Sequence, residues 1–185
     1  MKKISSEIAA LHVQEVPPQH LGLLYIDGIF QGQLESGIHA WWSFNRSFKS
    51  NSIDLRLQTM EVSGQDILTK DKVPLRLNLT AGYRISDPLT ASNSLVDING
   101  FLYKELQFAL RGAVGERTLD GLLEDKGTID RDIAEYIGKK TANYGIMVES
   151  VGVKDIILPG EIRTILGKVV EAEKSAQANV VRRRE

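Results

Sequence analysis

The feature that most constrains the fold is a run of alternating apolar and polar residues from position 73 to position 85. The apolar residues occupy every second position, which is the period of a β-strand with one buried face. An α-helix cannot place this pattern on one face, because its side chains repeat about every 3.6 residues. The run therefore predicts a long, half-buried strand whose buried side chains are Val73, Leu75, Leu77, Leu79, Ala81, Tyr83 and Ile85.

The pattern changes from strand to helix directly after Ile85. Asp87 can cap a helix and Pro88 suits the first helical position. Apolar residues at helical spacing then predict four helices, with Thr118 opening the third and Gly145 fitting the end of the fourth. We expect these helices at about 88–95, 98–114, 118–124 and 128–143.

The residues before position 73 are typical of short strands and turns. Asp27 and Gly28 lie between two apolar runs and predict a tight hairpin. Residues 37–50 carry aromatic side chains without a clear period, which indicates an irregular segment, and residues 52–63 alternate like a strand. Strands followed by helices predict an α+β fold rather than an alternating parallel sheet.

The last part of the chain predicts a strand followed by a long helix. The strand occupies 145–158, and Pro159 ends it because proline has no N–H for a sheet hydrogen bond. The helix that follows is predicted to associate with a neighbouring helix as the start of a coiled coil; an ordinary surface helix is the alternative. Two seams fit the pattern equally well, and the predicted oligomerisation residues are Ile162, Ile165, Leu166, Val169, Val170, Ala176 and Val180.

Composition excludes several classes of site. The 185 residues contain no cysteine, so disulfides and thiolate metal sites are absent, and the net charge of −1 argues against coating nucleic acid. His12, His20 and His39 lack the spacing of metal ligands. No nucleotide-binding or hydrolase motif appears. We expect no enzyme activity, metal or cofactor; the alternative is a hydrolase that uses serine and lysine side chains in the α-rich half. Serine and lysine also lie close together in the Ser47-Phe48-Lys49 segment, but both residue types are common on protein surfaces.

The aromatic segment suggests contact with a lipid surface. Amphipathic aromatic side chains beside Arg46 and Lys49 suit a membrane interface, although packing against the sheet explains them too. No run of eighteen apolar residues is present, so any anchor is expected outside this chain. The predicted membrane-contact residues are Trp41, Trp42, Phe44 and Phe48.

Four segments together resemble the SPFH domain of stomatin, prohibitin and flotillin, also called band 7, and within it the prokaryotic stomatin-like slipins. One segment departs from the pattern, because Ser36 stands where the family commonly has a proline before the glycine. The segments are YIDGIFQGQLESGIHAWW, then IDLRLQTMEVSGQDILTKDKVPLRLNLTAGYRISDP, then ALRGAVGERTLDGLLEDKGTI, and GIMVESVGVKDIILPGEI leading into VVEAEKSAQANVVRRRE.

The resemblance implies an α+β fold in which a twisted, mainly antiparallel sheet packs with several helices, followed by a long C-terminal helix that starts a coiled coil. It implies a lead-in or linker at 1–15, the SPFH domain at 16–158 and the coiled-coil start at 159–185. It implies a membrane-associated, non-enzymatic scaffold that forms homo-oligomers, contacts membrane lipid and organises partners such as an NfeD-type membrane protease. A soluble coiled-coil adaptor without a membrane role is the alternative.

Overall fold

A computed structural model describes residues 10–182, apart from the side chains of Ala10, Lys126, Glu173, Gln177 and 180–182. Described strands are β1 Ala10–Val16, β2 His20–Ile26, β3 Ile29–Leu34, β4 Gly37–Ser43, β5 Phe48–Asp54, β6 Gln58–Leu68, β7 Pro74–Ile85 and β8 Ile146–Ile157. Described helices are α1 Pro88–Ser94, α2 Ile98–Gly115, α3 Leu119–Glu124, α4 Lys126–Thr141 and α5 Gly160–Arg182.

The described strands form three separate sheets. Strands β1 and β4 pair alone, and β2 lies between β3 and β5; all of these pairs are antiparallel. The third sheet has the order β6-β7-β8. The predicted α+β class with antiparallel sheets is therefore confirmed, but the expected single sheet is divided into three.

The long strand lies where the alternating pattern predicts it. Strand β7 buries Leu75, Leu77 and Leu79, each about 1% exposed or less, while Arg76 between them is exposed. The helix start is also confirmed, because the carboxylate of Asp87 accepts a hydrogen bond from the Thr90 N–H and Pro88 opens α1. The Thr90 hydroxyl also donates to this carboxylate. The hydrogen bonds from the hydroxyl, which contributes most, and from the N–H lower the pKa of Asp87.

Two strand predictions in the first third of the chain are wrong. Residues 37–50 are not irregular, since β4 and the start of β5 occupy most of them. Residues 52–63 do not form one strand, because the chain turns between Asp54 and Gln58. The Asp54 carboxylate accepts hydrogen bonds from both the backbone N–H and the guanidinium of Arg56 and closes this turn. The residues expected in the lead-in include most of β1, which pairs with β4.

The chain forms two compact units. The first contains residues through Met60 together with 81–102 and 135–150, and the second contains 61–80, 103–134 and the chain from Val151 onward. In the first unit, Val16, Leu24 and Leu34 form a buried cluster on one face of the β3-β2-β5 sheet. Helix α1 packs against β2 and buries Pro88 and Ala91.

The second unit has its own apolar interior. Its helices bury Leu106 and Leu110 from α2 and Ile129 and Ile133 from α4, each about 1% exposed or less. Hydrogen bonds fix the connecting turns: the Lys70 N–H donates to the Arg117 carbonyl oxygen, and the Leu119 N–H donates to the carboxylate of Asp71. In each unit, buried apolar side chains therefore support the strands and helices at its surface.

Candidate membrane-contact surface

Strands β1 and β4 form a two-stranded ribbon whose two faces differ in composition. In its register Leu11 pairs with Trp42, Val13 with Ala40, and His12 with Trp41. Directly paired residues lie on the same side of a sheet, and successive residues lie on opposite sides. Leu11, Val13 and Trp42 therefore share one face, while His12 and Trp41 share the other.

The first face is apolar and exposed. Ile38 is 75% exposed, Phe44 70% and Trp42 61%, and about half the surface of Leu11 and Val13 is also open to solvent. Phe44 lies in the turn after β4, where its N–H donates to the Trp42 carbonyl oxygen. We call this set the exposed apolar face; it consists of Leu11, Val13, Ile38, Trp42 and Phe44.

The opposite face is packed. The ring of Trp41 stacks on Phe48 at a centroid distance of 5.8 Å and on His39 at 5.9 Å. The ring of His12 stacks on Phe48 at 5.6 Å. Trp41 and Phe48 also pack against the Val16, Leu24 and Leu34 cluster. These stacked rings hold the ribbon on the β3-β2-β5 sheet, so the exposed apolar face has a rigid support.

The structure separates the four aromatic residues predicted to contact membrane. Trp42 and Phe44 belong to the exposed apolar face, whereas Trp41 and Phe48 are packed beneath it. Sequence analysis missed Leu11, Val13 and Ile38. The alternation in ALHVQEV could have marked Leu11 and Val13 as sharing a face, but it does not show which strand pairs with β1.

Charge differs between the two ends of the ribbon. Arg46 lies in the exposed turn beside Phe44, whereas Lys49 follows Phe48 in β5 and therefore lies on the other face of the β3-β2-β5 sheet. Among the described residues, neither Arg46 nor Lys49 forms an ion pair. Glu15 and Ile38 pair at the opposite end of the ribbon, close to Glu35. The turn end carries Arg46 together with the Asp27 carboxylate, which accepts the Ser47 N–H, whereas the other end carries only the carboxylates of Glu15 and Glu35. The turn end is therefore the less acidic of the two and suits anionic groups better.

Helix α5 carries a second apolar surface. About 100° of rotation per residue places the predicted oligomerisation residues within one stripe along the helix. Ile165 is 57% exposed and Val169 48%, Val170 and Ala176 are exposed, and Ile162 and Leu166 are half-buried. The side chain of Val180 lies outside those that the structure describes. We call these residues the α5 stripe.

Each described histidine contacts an aromatic ring, a backbone carbonyl oxygen or a carboxylate. His12 and His39 lie in the aromatic stack, and the Nε2 of His39 donates to the Glu35 carbonyl oxygen at 2.8 Å. The Nε2 of His20 lies 3.9 Å from the Asp54 carboxylate. Within residues 10–182, no three histidine, aspartate or glutamate side chains come together as metal ligands. In the same part of the chain, no helix combines the length and the apolar character needed to cross a membrane.

The sequence of this chain resembles those of known proteins. The sequence profile of the SPFH domain / band 7 family matches residues 14–185. A stomatin homolog of Pyrococcus abyssi is 31% identical over 132 residues, covering 71% of this chain and 49% of the homolog. Stomatin-3 of Caenorhabditis elegans is 32% identical over 130 residues, covering 70% of this chain and 49% of that protein. The chain thus spans about half the length of these relatives. The chain belongs to the SPFH domain / band 7 family.

Proposed function

We propose that this chain is the slipin-type head of a non-enzymatic, membrane-associated scaffold that oligomerises and organises membrane proteins. The observation that carries the proposal is the exposed apolar face, which a rigid stack of rings supports from beneath. Membership of the SPFH domain / band 7 family supports a membrane-associated scaffold role in general terms. The exposed apolar face contacts the lipid surface, and the α5 stripe joins neighbouring copies.

Lipid contact follows from the hydrophobic effect. Burying a large apolar side chain stabilises a complex by about 1.5–3 kcal/mol, and five such residues lie on this face. Trp42 also suits the boundary between headgroups and acyl chains, because its ring is apolar and its N–H is polar. A lipid surface accepts all five side chains without requiring a matching protein shape.

The turn end of the ribbon, which carries Arg46, favours anionic lipid. Arg46 lies two residues after Phe44, so a turn inserted at the headgroup level brings its guanidinium close to phosphate groups. A basic residue near an anionic surface contributes about 1 kcal/mol. We therefore expect stronger binding to anionic vesicles than to neutral ones, and weaker binding at high salt.

Association of copies follows from the α5 stripe. The stripe continues for about five turns of a helix that exposes most of its described surface. A helix with this pattern is stabilised when a second helix covers the apolar side chains. We propose that the α5 helices of neighbouring copies pair in this way. We also propose an NfeD-type membrane protease as a partner, because the chain resembles slipins.

One observation bears on the hydrolase alternative. Ser47 and Lys49 line the same cavity of the first unit. Lys49 is exposed, however, and no hydrogen bond joins its Nζ to the Ser47 hydroxyl among the described residues. No orienting group contacts Lys49 among the described residues, so we retain the scaffold proposal.

Vesicle co-sedimentation tests the proposed function and separates it from the soluble-adaptor alternative. The chain is mixed with phosphatidylcholine vesicles that contain or lack phosphatidylglycerol. We expect it to pellet with the anionic vesicles, and the double variant Trp42→Ser/Phe44→Ser to remain in solution. Both side chains are exposed, so the variant keeps its fold.

The matched control removes two exposed apolar side chains elsewhere, in the variant Val96→Ser/Phe108→Ser. We expect this control to pellet like the unchanged chain. Equal pelleting of both double variants, or no pelleting of any chain, would contradict lipid contact through the exposed apolar face.

A further inference from the structure

A polar cavity lies on the first unit, on the side of the β3-β2-β5 sheet that helix α1 covers. Its volume is about 420 Å³, and it is lined by Tyr25, Gly28, Ser47, Lys49, Asn51 and Ser92. This volume falls at the lower end of the range for small-molecule sites, roughly 300–1,000 Å³. The cavity is open to solvent, so a ligand could enter without movement of the fold.

The sheet register brings the polar side chains together. Tyr25 pairs directly with Lys49 across β2 and β5, so both lie on one face of the sheet. Asn51 lies two residues further along β5 and shares that face. Helix α1 places Ser92 above the same face, and the turn before β5 contributes Ser47.

The polar groups of these lining side chains lack hydrogen-bond and ion-pair partners within the described residues. The hydroxyl groups of Tyr25, Ser47 and Ser92 and the amide of Asn51 make no hydrogen bond there, and Lys49 makes no ion pair. The nearby carboxylate of Asp27, in contrast, has a hydrogen-bond partner, because its Oδ1 accepts the Ser47 N–H at 2.9 Å. The cavity thus presents one cation and several donors that are free to bind a solute.

The β2–β3 turn contributes Gly28 to the lining of the cavity. Gly28 adopts a φ of +81° and no atom lies within 4 Å of the position that a Cβ would occupy. Gly28 adds no side chain to the lining, while Tyr25 forms an aromatic wall against Phe30 at a centroid distance of 5.7 Å.

We infer that this cavity binds a small anion that carries one negative charge and several hydroxyl groups, as in a glycerol phosphodiester. The single ammonium group of Lys49 balances one charge, and hydroxyl and amide groups pair with ligand hydroxyls. The same chemistry occurs in a lipid headgroup and in a free solute. This site is separate from the exposed apolar face and does not depend on the proposed function.

Titration of the isotope-labelled chain with glycerophosphoglycerol, followed by amide NMR shifts, tests the inference. We expect shifts that cluster at Ser47, Asn51 and Ser92, with weaker binding of glycerol, which lacks the charge. The variant Lys49→Gln should bind about tenfold more weakly, because a charged hydrogen bond is lost. The matched control Lys168→Gln changes the same charge on α5 and should bind like the unchanged chain.

Shifts that map elsewhere, or equal affinity in Lys49→Gln and Lys168→Gln, would overturn the inference. Phosphatidylglycerol vesicles then distinguish the two sources. Loss of vesicle binding in Lys49→Gln identifies a lipid headgroup, whereas loss of glycerophosphoglycerol binding alone identifies a free solute. The variant Trp42→Ser/Phe44→Ser should keep its affinity for glycerophosphoglycerol, so failure of the membrane proposal is recognised separately.

Discussion

Among the described glycines, Gly145 is the one at which an added Cβ would come nearest to a backbone atom. Its φ is +66°, and its carbonyl oxygen accepts hydrogen bonds from the N–H groups of Ser86 and Asp87. A Cβ at this position would lie 2.4 Å from the Asp87 carbonyl oxygen. Gly145 therefore joins the start of β8 to the turn that begins α1, within the first unit.

Substitution of Gly145 by alanine should destabilise the chain through two effects. Left-handed backbone costs alanine about 1–2 kcal/mol, and the contact with Asp87 adds about 1–3 kcal/mol. Gly28→Ala is the matched control, because Gly28 also has a positive φ but has open space around the added methyl group. Thermal unfolding followed by circular dichroism should show the larger loss for Gly145→Ala, and equal losses would contradict the close contact.

Trp41 and Trp42 show what the sequence can and cannot predict about the surroundings of a single residue. Strand alternation places adjacent side chains on opposite faces, so the sequence can separate the two rings once β4 is recognised. It cannot show which ring is packed. That depends on pairing with β1 and on stacking with His39 and Phe48, which are contacts between different elements.

At the scale of elements, helix α5 carries the proposed association of copies. Replacing Val169 by Asp places a charge in the centre of the α5 stripe, where association would bury it. We expect the dissociation constant of any self-association to rise by about tenfold or more. The control Ser175→Asp places the same charge on the opposite side of the helix and should have little effect.

Sedimentation velocity over a range of concentrations measures this effect. A chain ended at Leu158, which lacks α5, provides the monomer reference. Association that persists unchanged in the chain ended at Leu158 would assign it to another surface, and equal masses at all concentrations would contradict pairing through α5.

Elements differ in how well the sequence predicts them. Strand β7 and the start of α1 were predictable because a long regular period and a local cap define them. The break between β5 and β6 was not, because the alternation of Ile53, Leu55 and Leu57 continues through it. The hydrogen bonds from Arg56 to Asp54 turn the chain there, and a polar pair two residues apart leaves no mark on the apolar pattern.

At the scale of the whole molecule, the α+β class was predictable while the number of sheets was not. The class follows from the order of strand and helix patterns along the chain. The division into three sheets depends on which strands pair, as in β1 with β4 across about twenty residues of intervening chain. The exposed apolar face arises from that pairing, so it became visible only in the folded chain.

Tryptophan fluorescence tests whether the exposed apolar face enters a lipid surface, because Trp42 lies on that face and Trp41 does not. The chain contains two tryptophans, so Trp41→Phe leaves only Trp42 as a reporter and Trp42→Phe leaves only Trp41. Phenylalanine preserves an aromatic ring at each position. Both variants are mixed with phosphatidylglycerol vesicles whose acyl chains carry bromine, which quenches only nearby rings. We expect blue-shifted, quenched emission from Trp42 and unchanged emission from Trp41. Equal responses, or no response from Trp42 on bound vesicles, would contradict entry of the exposed apolar face into the lipid.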